Sequence, residues 1–300
     1  MKQRKEITAQ TLANSEDIQI GYSDNDIVVV DSIQQFTEVN SAHMTMNAVI
    51  ICTNGKVQAQ MNGMKIEMCK NQIAVVPENI TIMDVMVSPD FDFRALFLTN
   101  RILQSFLRER MNIWNEMMYI LRRHIVTMNE EELRFYTLFY DMLTLAIRND
   151  DGNPFRKDII QSLLRSAILA LCGAMKQNAA VGSSQNLLNN TGSFSSGKGH
   201  FQRFLDLLHS AEVKHRTVEA YATDLCITSK YLTSVCKKNS GKTASEWITE
   251  QVLEDIRYYL RQTDLNLKQV CDRLGFPNTS FFGKYVKDHF GMTPLEFRNS

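Results

Sequence analysis

The chain's 300 residues, 44% of them hydrophobic, are enough to bury one full core and, at this length, a second. Its 33 basic residues balance 33 acidic ones, and the stretch from residue 200 on carries only 14 cations against 12 anions, so net charge by itself names no nucleic-acid or acidic partner. Six cysteines in 300 residues, with no CxxC pair and no regular spacing, predict neither a disulfide framework nor a zinc site, and no apolar run approaches about 18 residues, so neither a signal peptide nor a membrane span is expected and the chain reads as cytoplasmic.

Strand signals come first. IVVV (27–30), AVIICT (48–53), KVQAQM (56–61), MKIEM (64–68) and IAVVP (73–77) are short, β-branched and separated by turn residues. Asn54-Gly55 and Asn62-Gly63 predict tight hairpins, because both residue types accept positive φ. Strands at this spacing predict a sandwich or barrel. Met44, Met46, Met61, Met64 and Met68 read as core filling, with an adaptable effector pocket as the alternative. His43 is the sole histidine of this region, too few for a histidine-and-carboxylate metal site, so no metal and no cofactor are expected.

The period then changes from two to three and four, predicting helices over 99–125, 129–148 and 155–177. In the last, Ile160, Leu164, Ala167, Ile168, Leu171 and Met175 share one face. That stripe is either a dimer seam or a face packed on the barrel. Next comes NAAVGSSQNLLNNTGSFSSGKG, whose Gly, Ser and Asn content predicts a flexible linker over 179–199. The linker divides an effector and dimerisation domain, 1–178, from a helical domain, 200–300.

That helical domain contains an internal repeat. YATDLCITSKYLTSVCKKNSGKTASEWI aligns with QVCDRLGFPNTSFFGKYVKDHFGMTPLEFR. Ala222 and Cys226 match Cys271 and Gly275 at an offset of 49, and Leu232, Lys237, Gly241, Thr243 and Trp247 match Phe282, Lys287, Gly291, Thr293 and Phe297 at 50. Each copy reads as a helix-turn-helix: a small residue where the helices cross, a turn tolerant of positive φ, then a second helix with one buried face. The buried faces are Leu232, Val235 and Cys236, and Phe282, Tyr285 and Val286. The opposite faces carry short donors and cations, of the kind that reads base edges and grips phosphates. Lys230, Lys237, Lys238 and Lys242 cluster within 228–242 with no acidic residue among them.

On these residues the C-terminal hundred positions resemble the DNA-binding domain of AraC/XylS-type transcriptional regulators, and GFPNTSFFGKYVKDHFGMTPLEFR is similar to that family's C-terminal signature. The resemblance implies two helix-turn-helix units joined by a long helix at about Ala244–Arg261. Val252 and Ile256 stand there where the family usually has an arginine and an alanine, and Cys226 stands for the usual turn glycine. It implies base-edge contacts from Lys230, Thr233 and Ser234 in the first unit and from Ser280 and Lys284 in the second. Lys237, Lys238 and Lys287 fall where phosphates are gripped. A weaker resemblance implies a cupin-like β-barrel with dimerisation helices at the N-terminus, making the whole an α+β protein with an all-α C-terminal domain. The expected partners are double-stranded DNA, RNA polymerase, a second copy of the chain and a small-molecule effector, with no membrane. The rival reading is a cupin-type enzyme or small-molecule binding protein with accessory helices. No Ser/His/Asp order, paired carboxylate motif or phosphate-binding glycine loop appears, so no catalytic residue is assigned and the chain is not read as an enzyme.

Overall fold

The β-branched runs pair into two sheets, numbered here in chain order. In the computed structural model, which describes residues 5–8, 18–33, 41–61, 63–148, 152–186, 196–210, 215–261 and 263–299, the first sheet has the order β1 (Lys5–Ile7), β4 (Ser41–Met44), β9 (Thr81–Val87), β6 (Lys56–Met61) and β7 (Met64–Cys69). The second has β11 (Ile125–Thr127), β8 (Gln72–Val76), β5 (Asn47–Asn54), β10 (Asp92–Leu98), β3 (Ile27–Ile33) and β2 (Ile18–Ser23). Among the described residues, every pairing is antiparallel except β1 with β4. Val28, Ala48, Ala95 and Phe97 of the second sheet share one core with Met44, Met61, Ile66 and Ile82 of the first. The two sheets therefore enclose that core between them.

The second sheet is covered on its other face as well, which explains why its runs read as continuous apolar stretches instead of alternating ones. Two helices lie there: α3 (Glu130–Arg148) and α4 (Arg156–Asn186). Tyr136, Leu143, Leu164, Ile168 and Leu171 of these helices meet Val29, Val49, Ile51 and Leu96 around a gap of about 50 Å³. The stripe from Ile160 to Met175 is thus spent inside this unit, with Leu164 and Leu171 at most 1% exposed. It is not free to be a dimer seam. Arg156–Gln177 is long and apolar enough by composition to cross a membrane, but its apolar face is the one that packs on the sheet.

Three local expectations need correction. Asn54-Gly55 does not close a hairpin, because β5 and β6 lie in different sheets. Gly55 takes φ +68, and a Cβ there would stand 2.5 Å from the Ser88 hydroxyl and 2.7 Å from the Phe91 backbone, so the chain changes sheets at a point only glycine fits. The second hairpin does form, with Met61 paired to Met64 and Gly63 at φ +82. The helix expected over 99–125 is instead α1 (Asn100–Leu107), a 3₁₀ turn at Arg108–Arg110, α2 (Met111–Asn115) and a π-turn at Glu116–Ile120. Met117 to Ile120 are all buried, more than one side of a regular helix presents in four consecutive residues. The predicted linker is also shorter than expected: α4 runs on to Asn186 and α5 (Ser196–Ser210) has begun by Ser196, while 187–195 lie outside the described residues. Met44, Met46, Met61 and Met68 are core, each at most 3% exposed.

The chain divides into two units at 191/192. In the C-terminal one, α5 is followed by α6 (Val218–Asp224), α7 (Ser229–Ser240), α8 (Ala244–Arg261), α9 (Leu267–Arg273), α10 (Thr279–Phe290) and α11 (Pro294–Asn299). Phe201 and Phe204 of α5 are fully buried, edge-on to Trp247 and Tyr221 at 6.2 and 5.4 Å between ring centroids.

Candidate nucleic-acid interface

The repeat seen in the sequence is also a repeat of hydrogen bonds. In α6 and its turn, Leu225 N–H donates to Tyr221 O, Cys226 N–H to Thr223 O and Ile227 N–H to Ala222 O. In α9 and its turn, Leu274 donates to Val270 O, Gly275 to Asp272 O and Phe276 to Cys271 O, the same three bonds 49 positions on. Beyond the turn the offset is 50. Thr228 caps α7 by accepting from Tyr231 N–H, and Asn278 caps α10 by accepting from Phe281 N–H. Gly241 and Gly291 then end the two helices at φ +79 and +72. The extra residue is Pro277, between turn and cap.

Each unit's last helix also starts alike. Thr243 N–H and hydroxyl donate to Glu246, and Glu246 N–H donates back to the Thr243 hydroxyl; Thr293 and Glu296 do the same. These bonds hold both carboxyls below the ordinary carboxylate range. The stability they contribute is present above the unfolded pKa and is lost as pH falls through the lowered one.

Cys226 adopts φ +56, beside Gly275 at +66, so the first turn keeps the geometry glycine would allow and a non-glycine residue bears the strain. Cys226 is exposed and packs no core. Cys226→Gly should stabilise the unit by about 0.5–1 kcal/mol, the αL penalty less the extra freedom glycine gains when unfolded, and Gly275→Ala should destabilise it by about 1 kcal/mol. Urea unfolding of both variants checks this; equal signs would mean the turns are not equivalent.

Helices α7 and α10 each bury one face and expose the other. Leu232, Val235 and Cys236 are buried on α7, Phe282 and Val286 on α10. On α7, Lys230, Ser234, Lys237 and Lys238 are exposed and Thr233 is half-buried. On α10, Ser280, Lys284 and Lys287 are exposed, at i, i+4 and i+7, with no side chain at Gly283. Tyr285 is only half-buried, stacked on His289 with 4.2 Å between centroids. Lys242 does not belong to the surface cluster. It is buried under the first unit, its ammonium 2.7 Å from Glu250 and 5.0 Å from the Trp247 ring. Two aromatics went unnoticed in the sequence because each precedes a core residue: Tyr231 and Phe281 are 40% and 62% exposed in the first turns of α7 and α10.

The long helix α8 carries both units. Val252 and Ile256, in place of the usual arginine and alanine, are core residues. The ties to the second unit come from cations one position or more further on. Arg257 lies over Phe290 and Arg261 over Phe297, at 5.1 and 4.4 Å, while Arg298 donates to Leu260 O. From the segment before α6, Arg216 covers Phe276 at 4.1 Å and donates to Gly275 O at 3.0 Å. The two units are thereby cross-braced, which fixes one recognition helix relative to the other.

Residues 221–300 match the model of a helix-turn-helix domain family. Over 104 residues the chain is 26% identical to the Msm operon regulatory protein of Streptococcus mutans, covering 35% of this chain and 37% of that protein. Over 62 residues it is 34% identical to the xylose operon regulatory protein of Haemophilus influenzae, covering 21% and 16%. The chain thus spans little more than a third of the first relative and about a sixth of the second. Among solved structures, ToxT from Vibrio cholerae superposes over 91% of this chain and 98% of its own at 9% identity, with a TM-score of 0.33.

Proposed function

We propose, from a C-terminal region that is a helix-turn-helix domain of the AraC/XylS type, that the chain is a cytoplasmic transcriptional regulator that binds specific duplex sites through two major-groove contacts per protomer. The observation that carries this reading is the turn, cap and exposed lysine-bearing face built twice with the same hydrogen bonds and braced on one helix. Recognition helices of this class read base edges from their first turns and grip phosphate further along. Lys230, Thr233, Ser234, Ser280 and Lys284 are assigned to base edges, and Lys237, Lys238 and Lys287 to phosphates. Selection by the full chain from random duplex DNA should recover one asymmetric motif. A recovered pool with no common sequence would overturn the reading.

Dimerisation, if it belongs to the N-terminal unit, needs a surface other than the α4 stripe, and α3 supplies one. Phe135, Leu138, Met142 and Leu145 are 44–61% exposed and spaced three, four and three residues apart, a stripe that a second copy can match with its own. Leu138→Glu with Met142→Glu should give a folded monomer by sedimentation where the parent chain is a dimer. A parent chain that is monomeric at tens of micromolar would count against it. For an effector, the space between the sheets is the candidate: a cavity of about 80 Å³ walled by Ile66, Met68, Ile82, Val85, Phe91 and other apolar residues. Such walls suit an uncharged, apolar molecule.

A further inference from the structure

Phe281 opens α10 in a way that no packing requirement explains. Its neighbour Phe282 is 1% exposed and holds the unit's core, whereas Phe281 is 62% exposed. Its backbone N–H donates to the Asn278 cap at 2.9 Å, which fixes the residue in the helix's first turn. The equivalent Tyr231 of α7 leans edge-on against His200, at 5.6 Å between centroids, and is less exposed at 40%. Around α10, Phe281 stands three positions before Lys284 and next to Ser280, so its ring shares the exposed arc with both residues assigned to base edges. Gly283 adds no bulk nearby: a Cβ there would meet nothing within 4 Å.

A phenyl ring has no hydrogen bond to offer a base edge. The one apolar group that the major groove presents is the thymine C5-methyl, and the first turn of a recognition helix is the part that reaches the groove floor. We propose that Phe281 is a specificity-determining residue of the second unit, its ring covering a thymine methyl beside the base that Lys284 contacts. The inference rests on the DNA-binding reading above.

The test uses the full chain and its selected site. Each thymine under the second unit is replaced in turn by deoxyuridine, which removes the methyl and nothing else from the base edge. One replacement should weaken the parent chain by about fourfold, the worth of one buried methyl-sized group. Phe281→Ala should weaken binding to the thymine site by about the same factor and then be indifferent to that replacement. Because the side chain is largely exposed, the variant should unfold at the parent's midpoint. Losses that are equal on thymine and deoxyuridine duplexes, or no loss at all, overturn the inference and would point to Phe281 as a protein-docking residue. If sequence preference survives, only this inference falls. If the parent chain shows no preference among duplexes, the DNA-binding reading falls and takes this one with it.

Discussion

Phe282→Ala should lower the unfolding free energy of the C-terminal unit by about 3–5 kcal/mol, the cost of removing a fully buried phenyl ring and leaving its cavity. Phe282 is 1% exposed and edge-on to Phe276, 5.1 Å between centroids, and Phe276 is in turn capped by Arg216. The ring therefore joins turn, recognition helix and brace. Leu232→Ala, at the matching position of the first unit, should cost about 2–5 kcal/mol, since Leu232 is 0% exposed. Urea unfolding followed by helical signal measures both. A cost below about 1 kcal/mol for Phe282 would mean that the second unit's core is not where its hydrogen-bond repeat puts it.

Lys284 and Lys287 should fail in different ways. Both are exposed on α10, one turn apart. In the proposed DNA-binding mode, Lys284 sits near enough to the helix start to donate to guanine O6 and N7, a contact worth about 1–3 kcal/mol of discrimination. In that same mode Lys287 falls where the helix leaves the groove floor for the backbone, and an ammonium on phosphate acts by releasing counterions without reading sequence. Lys284→Ala should relax preference at one or two base pairs by roughly 5- to 150-fold and leave binding to random DNA nearly unchanged. Lys287→Ala should weaken all duplexes alike and reduce the salt slope by about one. Matched, single-mismatch and random duplexes across a salt series separate the two. Equal, sequence-blind losses would make Lys284 a second phosphate clamp.

The C-terminal unit was legible because its signals are local and occur twice. The family resemblance implies a joining helix at about Ala244–Arg261, and the structure has it there. Cys226 stands where a glycine is usual, yet it takes the same positive φ as Gly275, within a turn that makes the same three hydrogen bonds. The N-terminal unit was less legible where a pattern depends on distant partners. β9 escaped notice because its alternation slips: Ile82 faces inward, then Val85 and Val87, with Asp84 between them at φ +52. The partner strand β6 shifts register between Gln58 and Gln60 to match. The Asn54-Gly55 signal was real as a bend, but no local sequence says whether two strands that meet at a bend will pair or part. Periodicity gave α4 its apolar face without saying what covers it. The far end of α4 was hidden for another reason. Once a helix is nucleated, each further residue adds a hydrogen bond, and glycine and serine cost only about 0.5–1 kcal/mol each, too little to stop it at residue 178.

In the proposed mode, two braced recognition helices of one protomer read one face of a duplex. Hydroxyl-radical footprinting of the full chain on its selected site tests this most directly. Two protected patches per protomer are predicted, centred about 10 bp apart on one side of the helix and unrelated by a two-fold axis. A single short patch per protomer, or protection that moves evenly over any sequence, would contradict it.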